Sequence, residues 1–262
     1  MTNLAEIHDL SVTYPGATAP ALDHLTFDIR DGERLAVIGE SGTGKSTLAR
    51  VLAGLLSKGT TMTGRIDWPE GRPMPGSGYG YVFQDPGASL NPVRSIGNQL
   101  GDVLATNGGL SRRAARTEAA TLLDRVMIPQ PERALDAYPH QFSGGQRQRI
   151  AIALAIAGKP RLLIADEATS ALDMLVQRDI VRLLDGLVRE FAMTLVFITH
   201  DVALAGGLAD RIAVLHDAQL VEIGPTRQII DSPRDAYTKS LLAAQVDLDA
   251  PVLIHPLPGD VA

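Results

Sequence analysis

Two glycine-bearing segments hold the residue types that bind and activate phosphate. Gly39-Glu40-Ser41-Gly42-Thr43-Gly44-Lys45-Ser46 fits the pattern G-x-x-x-x-G-K-[ST] at every fixed position, with Thr47 following. The glycines let backbone N–H groups converge on phosphate oxygens, and the helix expected next adds ~+0.5 charge at its start. Lys45 would reach the β- and γ-phosphates, and the Ser46 hydroxyl would ligate Mg²⁺. Taken alone, this loop says that a nucleoside triphosphate is bound without saying by which kind of protein. The apolar run Arg161–Ala165 ends in Asp166 and Glu167. Asp166 would stand near the Mg²⁺ for water-mediated coordination. Glu167 could orient the attacking water; an ordinary Glu, pKa ~4.3, is a weak base at neutral pH, so positioning is its main work. An apolar run closed by an acid also describes many ordinary strand ends.

Ser143-Gly144-Gly145-Gln146-Arg147 is a second anion site in the same chain, standing directly before a helix. One nucleotide has little use for two such sites far apart in sequence. Two chains facing each other would use both, each covering the ATP held by its neighbour. A simple helix cap by Ser143 is the plainer alternative.

The elements that must carry these groups are readable from periodicity. Ile7–Tyr14 and Leu25–Ile29 read as strands around a turn at Tyr14-Pro15-Gly16, and Arg34–Ile38 as a strand entering the first loop, with a helix over Ser46–Leu56. Gly64–Trp68 and Tyr79–Phe83 read as two further strands. From Ile96 to Ala137 the pattern becomes helical. Gln146–Ala157 reads as a helix, Arg161–Ala165 and Thr194–Ile198 as buried strands, Val176–Phe191 and Val202–Ala209 as helices. Arg211–Leu215 and Leu220–Ile223 read as a small hairpin. Strand and helix alternate on both sides of a helical insert, which predicts an α/β fold: a parallel-sheet core, a helical subdomain and a small antiparallel β piece near the start.

Composition narrows the function. The 262 residues carry a net charge of −6, with 45% hydrophobic and 21% charged residues, an ordinary globular balance that argues for no nucleic-acid partner. There is no cysteine, which excludes disulfides and thiolate metal sites. The N-terminus lacks the basic start and apolar run of a secretory signal. The longest apolar stretch, Ile150–Gly158, is less than half of the ~20 residues that span a bilayer, so any membrane-spanning part is expected from another chain.

Taken in order, Gly39–Thr47, Gln84, Ser143–Gln146, Asp166-Glu167, Ser170-Ala171-Leu172-Asp173 and His200 resemble the Walker A, Q-loop, signature, Walker B, D-loop and H-loop of ABC ATPases. The resemblance covers about Leu4–Ala243. It implies a P-loop NTPase (RecA-like) core, with residues 1–245 as the ATPase domain and a helical subdomain at about 85–158; the Pro-containing tail at 246–262 reads as loosely ordered or laid on the surface. It implies ATP and Mg²⁺ as cofactors, held in a head-to-tail dimer between the Walker A of one subunit and the signature of the other. His200 would contact the γ-phosphate, Gln84 would sense Mg²⁺ and the attacking water, and Asp173 would shape the dimer contact. Tyr14 stands where family members stack an aromatic ring on adenine, although a lone Tyr at a strand end equally fits a core. Phe142 replaces the Leu of many signatures, a conservative apolar change.

The stretch between Lys45 and Ser143 has no sustained heptads, which sets aside the coiled-coil repair and chromosome ATPases. Phe83–Pro92 and Tyr138–Phe142 resemble the peptide and nickel importer group. So does Pro233–Leu242, with Asp235-Ala236 where His-Pro usually precedes the Tyr. A chain without Cys that stops at Ala262 leans slightly toward the shorter nickel or metal-chelate subunits. The expectation is therefore an ATP-hydrolysing importer subunit, peripheral on the cytoplasmic face of the plasma (inner) membrane. Its partners would be a second ATPase subunit, two transmembrane permease subunits and, indirectly, an extracytoplasmic solute-binding protein. A soluble ABC ATPase with a regulatory or assembly role and no permease is the alternative, separable by copurification.

Overall fold

A computed structural model describes residues 2–169 and 172–246; the tail read over 246–262 lies, beyond Val246, outside the described residues, as do Ser170 and Ala171. The chain begins with β1 (Asn3–Thr13) and β2 (Leu22–Arg30), an antiparallel pair, then β3 (Arg34–Ile38), α1 (Lys45–Ala53) and β4 (Thr61–Asp67). Strand β5 (Tyr79–Val82) leads into a helical insert of α2 (Pro86–Ser89), α3 (Ile96–Gly108), α4 (Arg112–Arg125), α5 (Pro131–Ala134) and α6 (Gly144–Ile156). The chain then runs through β6 (Leu162–Asp166), α7 (Met174–Glu190), β7 (Thr194–Ile198), α8 (Val202–Leu208), β8 (Arg211–His216) and β9 (Gln219–Pro225). The described residues close with α9 (Thr226–Asp231) and α10 (Ala236–Val246).

Among the described residues the strands form a three-stranded antiparallel sheet, β2-β1-β4, and a six-stranded sheet, β5-β6-β7-β3-β8-β9. All neighbours in the larger sheet are parallel except β8 and β9. The hairpin read over Arg211–Leu215 and Leu220–Ile223 forms as β8 and β9, and β8 also joins the core through β3, pairing Val37 with Ala213.

The central strands are apolar apart from their end residues (Arg34, Asp166, Thr194) because both faces are covered, and period 2 sends alternate side chains to opposite sides. Leu163, Ala165, Leu195 and Phe197 enter a cluster shared with the helical insert and α7. Leu162, Ile164, Val196 and Ile198 pack with α1 and the antiparallel strands. Ala36, Ile38, Ile212 and Val214 face α8, α9 and α10. Each fully buried aliphatic contributes about 1.5–3 kcal/mol relative to exposure.

Several boundaries differ from the sequence reading. α1 ends at Ala53 because Gly54 takes a left-handed C-cap, φ 68°, instead of running to Leu56. The helical stretch read from Ile96 to Ala137 breaks at Gly109, φ 61°, and again at Met127 and Gln130, φ 57° and 50°, giving α3, α4 and α5. No helix of the described residues is long and apolar enough to cross a membrane.

Candidate functional site

The loops that carry the chemistry all leave the carboxyl ends of parallel strands: Gly39–Gly44 after β3, Asp166 at the end of β6, His200 after β7 and Gln84 after β5. The order β5-β6-β7-β3 makes these loops neighbours, at the edge where open α/β sheets bind ligands.

Between β3 and α1 the chain turns through left-handed backbone at Gly39, Gly42 and Gly44, φ 150°, 86° and 98°. Gly44 has a second requirement: a Cβ there would lie 2.2 Å from the Ala21 carbonyl oxygen. Ser41 is exposed at the loop's crest. Lys45 is 4% exposed and donates from Nζ to the carbonyls of Gly39 and Glu40 at 2.8 and 2.6 Å. Burial pushes its pKa below the ordinary lysine value, while Glu167, Asp166 and Glu40 pull it back up.

Ser46 Oγ donates to Asp166 Oδ1 at 2.8 Å, and Tyr81 Oη donates to Asp166 Oδ2 at 2.8 Å. Asp166, 6% exposed, thus has one hydroxyl on each oxygen. Burial, and then the Asp166 charge, push the Tyr81 phenol well above its ordinary pKa, so it remains a donor. The Ser46 oxygen beside a buried carboxylate is the oxygen-rich donor set that suits Mg²⁺. Glu167 sits at φ 47°, uncommon for a non-glycine residue, and is held there by its N–H donating to Ile198 O at 3.0 Å. Such a backbone costs on the order of 1–3 kcal/mol and tends to cluster at functional sites. Gln84 Nε2 donates to Glu167 Oε2 at 3.0 Å. The two side chains, 83 residues apart in sequence, therefore meet directly.

Tyr14 is half-buried, 3.3 Å from Thr47 Oγ1 and hydrogen-bonded to the Arg50 guanidinium, whose pKa it raises. It thus stands against α1, next to the phosphate loop. His200 is exposed at the β7–α8 turn, between Thr199, whose N–H donates to Val37 O, and Asp201, which caps α8.

Ser143 caps α6: its Oγ accepts from Gln146 N, and Gln146 Oε1 accepts from Ser143 N at 3.0 Å. Asp173 caps α7 by accepting from Val176 N at 3.0 Å. Both residues thus have a local structural job, and both are exposed. Gly145 is required by packing, since a Cβ there would meet Val176 Cγ1 at 2.9 Å. Gly144, Arg147 and Gln148 line a cleft of about 150 Å³ together with Gln84, Ala168 and Leu172. The signature-like segment therefore stands by β5, at the sheet's edge, whereas the phosphate loop extends from β3 beyond β6 and β7. At ~4.8 Å per strand the offset from β5 to β3 is about 14 Å. Tyr81 and the strained Glu167 backbone are the site features that sequence reading did not single out. The Tyr79–Phe83 strand was legible, but its register against β6, Tyr81 opposite Ile164, was not.

Comparison with known proteins follows the same lines. The ABC transporter family model matches residues 22–170. The peptidoglycan transport ATP-binding protein YejF of Agrobacterium fabrum is 41% identical over 256 residues, 92% of this chain and 47% of that protein. This chain therefore spans about half of that relative's length. The oligopeptide transport ATP-binding protein OppD of Bacillus subtilis is 38% identical over 265 residues, 95% of this chain and 74% of that protein. Among solved structures, the dimeric post-hydrolysis state of the ATP-binding cassette MJ0796 with ADP and Pi superposes at a TM-score of 0.74. It has 28% identity and covers 86% of this chain and 99% of that one. CbiO1 of Clostridium perfringens, part of the cbiONQ transporter complex, reaches a TM-score of 0.75 at 26% identity, over 96% and 97% of the two chains. On the family match and on relatives at 38% and 41% identity across nearly its whole length, this chain belongs to the ABC transporter family and is an ATP-binding cassette.

Proposed function

We propose that this chain hydrolyses ATP to power a bacterial-type importer for peptides, with nickel or another metal chelate as the competing cargo. The observation that carries the reading is the meeting of Lys45, Ser46, Asp166, Glu167 and Gln84 at one sheet edge, with a second anion-binding helix start set off by two strands. Gly39, Ser41, Gly42, Gly44, Lys45, Ser46 and Thr47 hold the phosphates, and Tyr14 stacks on adenine. Ser46, Gln84 and, through water, Asp166 hold Mg²⁺, which when bound neutralises charge growing on the β- and γ-phosphate oxygens. Glu167 orients a water against the γ-phosphorus and takes its proton as the bond to the β–γ bridging oxygen breaks, leaving ADP and phosphate. His200 contacts the γ-phosphate from the β7 side.

Ser143, Gly144, Gly145 and Gln146, with Asp173, serve the ATP of a second ATPase subunit, a reading supported by the exposure of Ser143 and Asp173. The unit in this reading is a head-to-tail dimer, and relatives named as transport ATP-binding proteins support placing it beneath two transmembrane permease subunits on the cytoplasmic face of the inner membrane. An extracytoplasmic solute-binding protein would deliver the cargo. Residues 1–245 would act as one ATPase unit, with the insert at 85–158 transmitting closure to the permease. The test is affinity purification of the chain from membranes, followed by uptake of labelled peptide and of nickel chelate in vesicles holding the recovered complex. ATP-dependent peptide uptake is expected. Recovery without any polytopic partner overturns the transport reading, and uptake of nickel alone replaces the cargo.

A further inference from the structure

Tyr237 lies on α10, far in sequence from every motif of the site, yet it touches the phosphate loop. Its hydroxyl accepts from the backbone N–H of Glu40 at 3.2 Å, and its ring stacks on His216 with centroids 3.7 Å apart and planes at 19°. A chain of hydrogen bonds sets it there. Glu222 on β9 accepts from the N–H groups of Arg234 and Asp235 at 3.0 and 3.1 Å. The Asp235 carboxylate accepts in turn from the N–H groups of Tyr237 and Thr238 at 2.8 and 3.2 Å. The turn into α10 is thereby tied to β9, and Tyr237 is delivered to the carboxyl end of β8. Gly39 lies at the same place, so close that a Cβ on it would sit 2.2 Å from Leu215 O.

The N–H of Glu40 and the carbonyl of Gly39 belong to a single planar peptide unit. Tyr237 holds the N–H side of that plane. The carbonyl side accepts from Lys45 Nζ at 2.8 Å. Rotation of the plane would break one bond or the other. We infer that Tyr237 is a positioning residue of the nucleotide site: through the Gly39–Glu40 peptide it sets the anchor from which Lys45 reaches the β- and γ-phosphates. The inference rests on reading Gly39–Thr47 as the phosphate loop. It also makes α10, which lies outside the family-matched residues 22–170, part of the ATP site. The second anchor of Lys45, Glu40 O at 2.6 Å, keeps the effect of losing Tyr237 partial.

The experiment is calorimetric binding of ATP, ADP and AMP to the full chain and to Tyr237→Phe, which keeps the ring on His216 and removes only the hydroxyl, with Lys45→Ala alongside. Melting of each ligand-free protein corrects the affinities for any unfolded fraction. Tyr237→Phe is expected to weaken ATP and ADP by roughly three- to tenfold, the worth of one neutral hydrogen bond. AMP, which lacks the phosphates that Lys45 meets, should bind as before. Unchanged ATP affinity in Tyr237→Phe, or an equal loss for AMP, overturns the inference. If Lys45→Ala abolishes ATP binding while Tyr237→Phe is neutral, only the role of Tyr237 falls. If Lys45→Ala also binds ATP normally, the phosphate-loop reading falls and takes this inference with it.

Discussion

Replacing Tyr81 by Phe removes one oxygen from a buried site and leaves the ring in place against Phe83, whose centroid is 4.4 Å away. The lost contact is the 2.8 Å donation to Asp166 Oδ2. A hydrogen bond to a charged group contributes ~1.5–3 kcal/mol. Tyr81 is only half-buried, so water recovers part of the loss and the lower end, ~1.5 kcal/mol, applies. Its first consequence is a fall in the ligand-free melting temperature of about 3–6 °C for a domain of this size. The second concerns the metal. Asp166 keeps the Ser46 hydroxyl on Oδ1 at 2.8 Å but loses the bond that fixes its other oxygen. Partners that orient a metal site from behind typically control its affinity by ~10–100-fold. The same ~1.5 kcal/mol corresponds to about tenfold. Phosphate release measured against free Mg²⁺ at saturating ATP should therefore shift to roughly tenfold higher metal. A Mg²⁺ curve that superimposes on the wild type, with a lower melting temperature, would refute the claim that Tyr81 orients Asp166.

Two further outcomes follow from the same geometry. Glu167→Gln keeps an oxygen able to accept from Gln84, so folding and ATP affinity should persist while phosphate release falls by about 10²–10⁴-fold; normal turnover in the assembled complex would sink the role given to Glu167. The acid limb of stability depends in part on Asp210, whose pKa burial tends to raise but the hydrogen bonds from Arg34 lower below the ordinary value. A depressed carboxylate stabilises the fold above its unfolded pKa of ~3.9, and that stability is lost as pH falls through the folded value. Asp210→Asn should thus unfold at lower urea at pH 7 than the wild type, and the gap should close below about pH 4; a gap that persists at low pH would contradict this assignment.

Much of the site was legible because its parts are short and contiguous. The spacing of Gly39, Gly44, Lys45 and Ser46 encodes a strand-to-helix turn through left-handed glycine backbone, a local pattern that no distant residue is needed to recognise. Asp166-Glu167 was visible at the end of an apolar run, and period 2 and period 3.6 separated most strands from most helices. Helix ends were less legible. Gly54 and Gly109 stop α1 and α3 through left-handed caps, but a glycine inside a periodic stretch does not announce whether it is tolerated or terminal. α10 was not assigned at all, because its buried positions, Thr238, Leu241 and Leu242, include a threonine where an apolar residue would have marked the face.

The sequence carried the candidate chemistry, then: which groups are proposed to bind phosphate, which acids are proposed to stand by a metal, and that two glycine-bearing helix starts exist in one chain. The tertiary structure decided which of those groups meet. Ser46 reaches Asp166 across 120 residues because β3 pairs with β7 on the side away from β5, and Gln84 reaches Glu167 across 83 because β5 pairs with β6. Tyr81 and Tyr237 entered the site in the same way, through strand register and through a turn anchored on Glu222. Local spacing fixes what a segment can bind, since backbone geometry is a short-range property. Strand neighbours are selected by burial of both sheet faces, a free energy summed over the whole core, and no single segment contains it.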